Sequence, residues 1–71
     1  MTVTIDARGL LPPEPMERVL EALPKLARGD ALTLLLPREP FPLYAVLTRE
    51  GFVWQTRLEP DGTYVITMRH A

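Results

Sequence analysis

IDARGLLPPEP, at residues 5–15, reads as the end of a strand, a turn and the start of a helix. Residues 2–6 alternate polar and apolar, which is the period of a half-buried strand with Val3 and Ile5 inward. Arg8-Gly9 then turns the chain, because glycine takes a positive φ more readily than any other residue. The prolines of the stretch suit the first turn of a helix, where a missing N–H costs nothing.

The helix that follows is amphipathic and contains an interior proline. Pro24 lacks an N–H and clashes with the preceding turn, so we expect the helix to end near Leu23 or to kink there. Gly29 is a candidate for a left-handed cap after it. One side of the helix is a buried apolar stripe with spacings of three and four. The other side carries two pairs of opposite charge four residues apart, each with the acidic residue first. The pairs are Glu14–Arg18 and Glu21–Lys25, and the stripe is Met16, Val19, Leu20, Leu23, Leu26 and Ala27.

The rest of the chain predicts a strand, a short helix and a hairpin. The hairpin turn is residues 59–62, Glu-Pro-Asp-Gly, a strong turn signal. The order β-α-β-α-β-β favours an α/β (α+β) two-layer sandwich, in which two helices cover the apolar face of a four-stranded sheet. No linker or repeat divides residues 1–71, so we expect a single domain. The predicted ranges are Leu32–Leu36, Phe41 or Pro42 to Arg49, Phe52–Leu58 and Thr63–Arg69.

Side-chain alternation assigns the hairpin residues to two faces of the sheet. Phe52, Trp54 and Leu58 share one face of their strand, and Tyr64, Ile66 and Met68 share one face of the last strand. Leu35, Val53 and Val65 would then point away from the helices. Such a partly apolar open face is either a partner or homo-oligomer surface, or a set of ordinary exposed aliphatic side chains.

The composition disfavours several classes of protein. The net charge is −1, so the chain lacks the excess of Lys and Arg that nucleic-acid binding needs. No apolar run is long enough to cross a membrane, and no signal peptide is visible, so we expect a cytoplasmic protein. With no Cys, no Ser and a single histidine, His70, the chain offers no metal site or usual nucleophile. We therefore expect neither a cofactor nor an enzyme, although a Tyr or carboxylate enzyme is not formally excluded.

Two further features of the composition concern the source of the protein. Seven of its eight basic residues are Arg, it has eight prolines, and it lacks Asn and Cys. Loss of thermolabile side chains and stiffened loops are typical of a thermophile. A GC-rich genome would produce a similar bias.

Residues 5–15 resemble the opening of TusA/SirA-like sulfur carriers, which have a short strand, an L-D-x-R/T-G-L turn and a C-P-x-P motif. That resemblance implies the sheet order 1-2-4-3, with the last strand antiparallel to the rest. Pro12 stands where those carriers have the cysteine that bears the persulfide, so carrier activity is not implied, because the thiolate is the nucleophile. The chain more closely resembles an uncharacterised bacterial family that lacks this cysteine. It shares Pro-Pro-x-Pro at 12–15, Pro-x-Pro-Leu-Tyr at 40–44 and G-F-x-W at 51–54.

The candidate binding residues belong to the helix starts and to the loops that follow the first two strands, which we expect at one end of the sheet. Arg8 either pairs with Asp6 or meets an external anion, and the proline-rich helix start is either a ligand site or simply rigid. The hydroxyl of Tyr44 requires water or a partner. The full set is Arg8, Pro12, Pro13, Glu14, Arg38, Glu39 and Tyr44.

These features indicate a non-enzymatic binding or adaptor module on a sulfur-carrier scaffold, with a protein partner and existing as a monomer or weak homodimer. A small-ligand or anion sensor at the rim formed by Arg8 and Arg38 is the first alternative. An accessory factor to a redox or nitrogen-oxide enzyme is another, because relatives of the resembled family sometimes appear beside such proteins.

Overall fold

The computed structural model describes all residues from 1 to 71 and contains the six predicted elements in the predicted order. A short 3₁₀ helix, Leu23–Lys25, follows the first α-helix. The predicted bounds are confirmed to within two residues at the helix starts and strand ends. The elements are β1 (Thr2–Asp6), α1 (Glu14–Ala22), β2 (Ala31–Leu36), α2 (Phe41–Arg49), β3 (Phe52–Leu58) and β4 (Tyr64–His70).

The sheet order is β1-β2-β4-β3, as the resemblance implied. β1 and β2 are parallel, whereas β4 is antiparallel to both of its neighbours, β2 and β3. Leu34 at the centre of the sheet lies opposite Ile5 on one side and Ile66 on the other. Because β1 and β2 run in the same direction, the loops that follow them leave the same end of the sheet. Neither helix is long and apolar enough to cross a membrane.

One hydrophobic core joins both helices to one face of the sheet, which confirms the two-layer architecture. Val19 and Leu23 enter it from the first helical segment, and Leu43 and Leu47 enter it from α2. The sheet contributes the fully buried members of its two central strands. These strand residues are Leu32, Leu34, Ile66 and Met68.

Four residues that the sequence assigned to the core are exposed instead. Val3 and Leu58 lie on the two edge strands, where they keep 39% and 57% of their surface exposed because the helices do not reach that far. Leu20 is 43% exposed, so the buried stripe of α1 is narrower than its apolar residues suggest. Ala27 is exposed because it follows the 3₁₀ helix and no longer obeys the helical period.

Pro24 ends α1, as predicted, and the chain continues from there as a more tightly wound 3₁₀ helix. The α-helix stops at Ala22, and the 3₁₀ helix that contains Pro24 ends by donating the N–H of Leu26 to the carbonyl of Leu23 at 3.1 Å. This tighter turn moves Lys25 off the helical spacing. The predicted ion pair of Lys25 with Glu21 is therefore absent, and that prediction is wrong.

Three of the four glycines take a positive φ where the chain turns, among them Gly62 of the predicted hairpin turn, with a φ of 90°. Gly29 has a φ of 92° after the 3₁₀ helix, which confirms the left-handed cap, and Gly51 has a φ of 83° after α2. The chain turns at Arg8-Gly9 as predicted, but Gly9 does so without a positive φ. The turn is held by the backbone N–H groups of Arg8 and Leu10, which donate to the Asp6 carboxylate and to the Ala7 carbonyl.

The outer face of the sheet is less open than the sequence suggested. Val53 is exposed and Leu35 is half-buried, but Val65 is buried although it faces away from the helices. The β3–β4 turn lies beside it, and Arg8 joins this turn, Leu35 and Val65 around a shallow depression. The hairpin turn thus covers one end of the outer face.

Candidate functional site

The loops that follow β1 and β2 enclose an open groove of about 430 Å³ between the starts of the two helices. Five of its lining residues are prolines, and we call it the proline groove. Proline fixes φ and so limits the movement of the walls. The lining prolines are Pro12, Pro13, Pro15, Pro37 and Pro40.

Buried apolar side chains form the base of the proline groove. Leu36 at the end of β2 and Leu43 in α2 are core residues that also line it. Met16 from α1 is half-buried between them and the solvent. Leu11, in contrast, is 80% exposed at the edge of the groove. The arrangement presents an apolar surface that is fixed from below by the core.

Arg8 lines the groove, and its guanidinium is already paired. Its Nε and Nη2 donate to the two carboxylate oxygens of Asp6 at 2.9 and 2.8 Å, and its backbone N–H donates to the same carboxylate at 3.2 Å. These hydrogen bonds lower the pKa of Asp6 to about 2 and raise the pKa of Arg8. An external anion would have to compete with Asp6 for this guanidinium.

Arg38 is the other arginine of the groove, and it makes no ion pair or hydrogen bond through its side chain. It follows Pro37 in the loop between β2 and α2. Its guanidinium is therefore available to a carboxylate or phosphate of a bound molecule. Arg38 is thus the arginine of the groove whose side chain is unpaired.

Glu39 lines the groove and is fixed from behind by Tyr44. The Tyr44 hydroxyl donates to Oε2 of Glu39 at 3.0 Å and lies 2.6 Å from Oγ1 of Thr56 on β3. The ring of Tyr44 stacks on Trp54 at 5.0 Å between centroids. Burial is the main cause that raises the pKa of the Tyr44 hydroxyl. Tyr44 itself does not line the groove, so it positions Glu39 instead of meeting a ligand there.

Glu14 lies at the start of α1 but outside the lining of the groove. Its carboxylate pairs with Arg18 at 3.1 Å, as the spacing predicted. The structure thus brings together Arg8, Pro12, Pro13, Arg38 and Glu39, and leaves Glu14 and Tyr44 beside the groove. Sequence reasoning missed Leu36, Pro37, Pro40 and Leu43 as lining residues, although the parallel strand order was a signal for the β2–α2 loop.

The structure contains no group of three or more His, Cys, Asp or Glu side chains that could hold a metal ion. The lone histidine, His70, has a local structural role. Its Nε2 donates to the carbonyl oxygen of Leu26 at 2.8 Å, and its ring lies 4.5 Å from that of Phe52. His70 thereby connects the end of β4 to the segment that follows α1.

Residues 4–70 match the model of a family described as "Uncharacterized conserved protein (DUF2249)". The chain belongs to the DUF2249 family. Two proteins of Neisseria meningitidis, from serogroups A and B, are each 32% identical to it over 69 residues, covering 94% of this chain and 93% of theirs. Their names describe them as candidate sulfur carrier proteins.

A solved structure gives the same result for the fold of this DUF2249 chain. The crystal structure of a SirA-like protein from Desulfitobacterium hafniense superposes with a TM-score of 0.82 and is 25% identical, covering 96% of this chain and 95% of the other. The resemblance to SirA-like sulfur carriers is confirmed. The scaffold is of the sulfur-carrier type, and Pro12 lines its groove in a chain without cysteine.

Proposed function

We propose that this DUF2249 protein is a non-enzymatic adaptor, acting in the cytoplasm as one domain over residues 1–71. It binds an apolar segment of a protein partner in the proline groove. The apolar, preformed groove at the loop end of the sheet carries the proposal, and the exposed Leu11 at its edge is the observation that points most directly to a partner. Contiguous apolar surface of this kind is typical of binding sites.

The rigidity of the groove supports binding in a fixed geometry. Its base consists of core side chains, and prolines restrict both of its loops. A site that is already ordered loses little conformational entropy on binding, and so retains more of the interaction free energy as affinity. The sulfur-carrier-type scaffold is consistent with a partner at this end, whereas the chain without cysteine cannot accept sulfur there as a thiolate.

A small-anion sensor is the second candidate, and one specific feature favours it. Arg38 lines the groove without an ion-pair partner. The pairing of Arg8 with Asp6 weighs against this role, because only one of the two arginines is free. A partner that proves to be a redox or nitrogen-oxide enzyme would make the protein its accessory factor.

The experiment is an affinity capture from lysate of the source organism, with the wild type, Leu11→Asp and Leu20→Asp compared. Leu20 is an exposed leucine of α1 that does not line the groove, so Leu20→Asp is the matched control. We expect one partner to bind the wild type and Leu20→Asp but not Leu11→Asp. Retention by Leu11→Asp would place the surface elsewhere.

The sensor is tested separately by thermal unfolding in phosphate and in sulfate. A ligand that binds only the folded state raises the apparent stability by mass action. Stabilisation that disappears in Arg38→Ala, together with no specific capture by the wild type, would favour the sensor over the adaptor.

A further inference from the structure

β3 is an edge strand whose free side can be assigned from its pairing with β4. The N–H of Ala71 donates to the carbonyl of Gly51 at 3.0 Å, and the N–H of Glu59 donates to the carbonyl of Thr63 at 2.8 Å. Both bonds join residues directly opposite each other in the register of this ladder. In an antiparallel ladder, hydrogen-bonded and non-hydrogen-bonded pairs alternate. The odd-numbered residues of β3 therefore turn their N–H and C=O toward β4.

It follows that the even-numbered residues turn their backbone groups toward solvent. No turn, loop or side-chain hydrogen bond satisfies these groups. They form a regular row of donors and acceptors along the free edge, which is a template for another strand. The residues are Phe52, Trp54, Thr56 and Leu58.

The β3 edge has few of the features that usually prevent strand pairing, and its one charged residue, Arg57, is paired with Glu59. It contains no proline and no lysine, and its pairing with β4 runs without a bulge from Phe52 to Leu58. Val53 and Leu58 expose apolar surface on its two faces, at 47% and 57%. The opposite edge, β1, has only five residues and ends in Asp6. β3 is thus the edge better suited to association.

We propose that β3 pairs antiparallel with β3 of a second copy of this chain, about a two-fold axis through Gln55. This register places Trp54 opposite Thr56 and Phe52 opposite Leu58. Every outward N–H and C=O of β3 then forms a hydrogen bond with β3 of the other copy. An axis through Trp54 would leave Leu58 without a partner strand residue, and an axis through Thr56 would leave Phe52 without one. An axis between two residues would place the outward backbone groups of one copy opposite residues of the other copy whose backbone groups already point toward β4, so these hydrogen bonds would not form.

The side chains are compatible with this register. The exposed Leu58 of each copy lies beside Phe52 of the other, and Val53 lies beside the stem of Arg57. The charge of Arg57 is compensated within its own chain by Glu59 at 2.7 Å. No like charges face each other along the strand, which favours cross-strand pairing. The proline groove is lined by no residue of β3, so each copy keeps it free.

Hydrogen exchange measured by NMR tests the backbone part of the proposal. At low concentration the amides of Val53, Gln55 and Arg57 are protected, whereas those of Trp54 and Thr56 exchange freely. As concentration rises toward the millimolar range, the even-numbered amides become protected in step with dimer formation seen by sedimentation. A protein that stays monomeric, or even-numbered amides that exchange freely at every concentration, would overturn the proposal.

A charge swap at Gln55 tests the axis. Gln55 is exposed and faces its own copy at the axis, so Gln55→Lys and Gln55→Glu each weaken the dimer by roughly fivefold at low ionic strength, because like charges face each other. An equimolar mixture of the two variants restores association. Thr4→Lys is the matched control, because Thr4 lies in the same cross-strand row on the other edge. Dissociation by Thr4→Lys with Gln55→Lys unaffected would assign the interface to β1 and refute the proposal.

Discussion

Removal of the Tyr44 hydroxyl, in Tyr44→Phe, separates a structural role of this residue from a role in binding. The hydroxyl donates to Glu39 at 3.0 Å and contacts Oγ1 of Thr56 at 2.6 Å. A hydrogen bond to a charged group contributes about 1.5–3 kcal/mol and a neutral one about 1 kcal/mol, but both partners here regain water in the variant. The stacking of the ring on Trp54 is retained, since phenylalanine has the same ring. We therefore expect a loss of about 1.5 kcal/mol in the free energy of unfolding.

Urea denaturation at neutral pH measures this loss, and thermal unfolding should show a decrease in Tm of about 6–12 °C. Thr56→Val and the double variant complete a double-mutant cycle, in which the two losses should not be additive because the two groups are in contact. Capture of a partner by Tyr44→Phe should remain intact, since the proposed apolar segment contacts the apolar base of the proline groove, to which neither Tyr44 nor Glu39 belongs. Unchanged stability with loss of the partner would refute the structural role.

The raised pKa of the Tyr44 hydroxyl predicts that the free energy of unfolding depends on pH in the alkaline range. The pKa of Tyr44 is raised above its ordinary value of 10.0 in the folded protein. The unfolded state therefore loses its proton first, so this stabilisation is fully present below pH 10 and is lost as the pH rises through the folded pKa. The difference in stability between wild type and Tyr44→Phe should decrease over that alkaline range.

Three other predictions concern the loops and the core. NMR titration should give Asp6 a pKa of about 2, and this pKa should return toward 3.8 in Arg8→Ala. Because the pKa of Asp6 is lower in the folded state than in the unfolded state, its pairing with Arg8 stabilises the protein above pH 3.8, and this stabilisation is lost as the pH falls toward 2. Gly29→Ala should cost about 1–2 kcal/mol in urea denaturation because φ is 92°, whereas Gly9→Ala, with no positive φ and open space at its Cβ, should be close to neutral. Leu47→Ala removes a fully buried side chain and should cost about 2–5 kcal/mol, enough to leave part of the protein unfolded without denaturant. Equal effects at the two glycines, or a tolerated Leu47→Ala, would contradict the packing described.

The elements of this fold could be predicted from the sequence because their signals are local. Periodicity and turn residues located every strand and helix, and Pro24 marked the end of α1. Periodicity states which residues share a face, but not how far the opposite layer extends. That is why Val3 and Leu58 face the helix layer and yet remain exposed at the edges of the sheet. Val65 shows the converse, since it is buried although it faces away from the helices, where Arg8 and the β3–β4 turn surround it.

The candidate site could be predicted in position but not in detail. Parallel β1 and β2 bring Arg8 and Arg38 to one groove, and the sequence already predicted that both loops lie at one end of the sheet. The sequence left open whether Arg8 is free or paired, and only the two contacts with Asp6 decide that question. Tyr44 was expected at the rim, but its orientation toward Glu39 and Thr56 depends on the approach of α2 to β3.

The sheet order also has a consequence for how the chain reaches its native state. β4, the last strand in sequence, lies between β2 and β3, so neither half of the sheet is complete until residues 64–70 are present. During synthesis, a ribosome-bound chain that lacks these residues has no partner for the exposed edges of β2 and β3 and cannot close its core. Such non-local pairing favours all-or-none folding, without a stable intermediate formed by the residues that precede β4. β4 therefore protects the edges of β2 and β3 from aggregation as soon as it pairs with them.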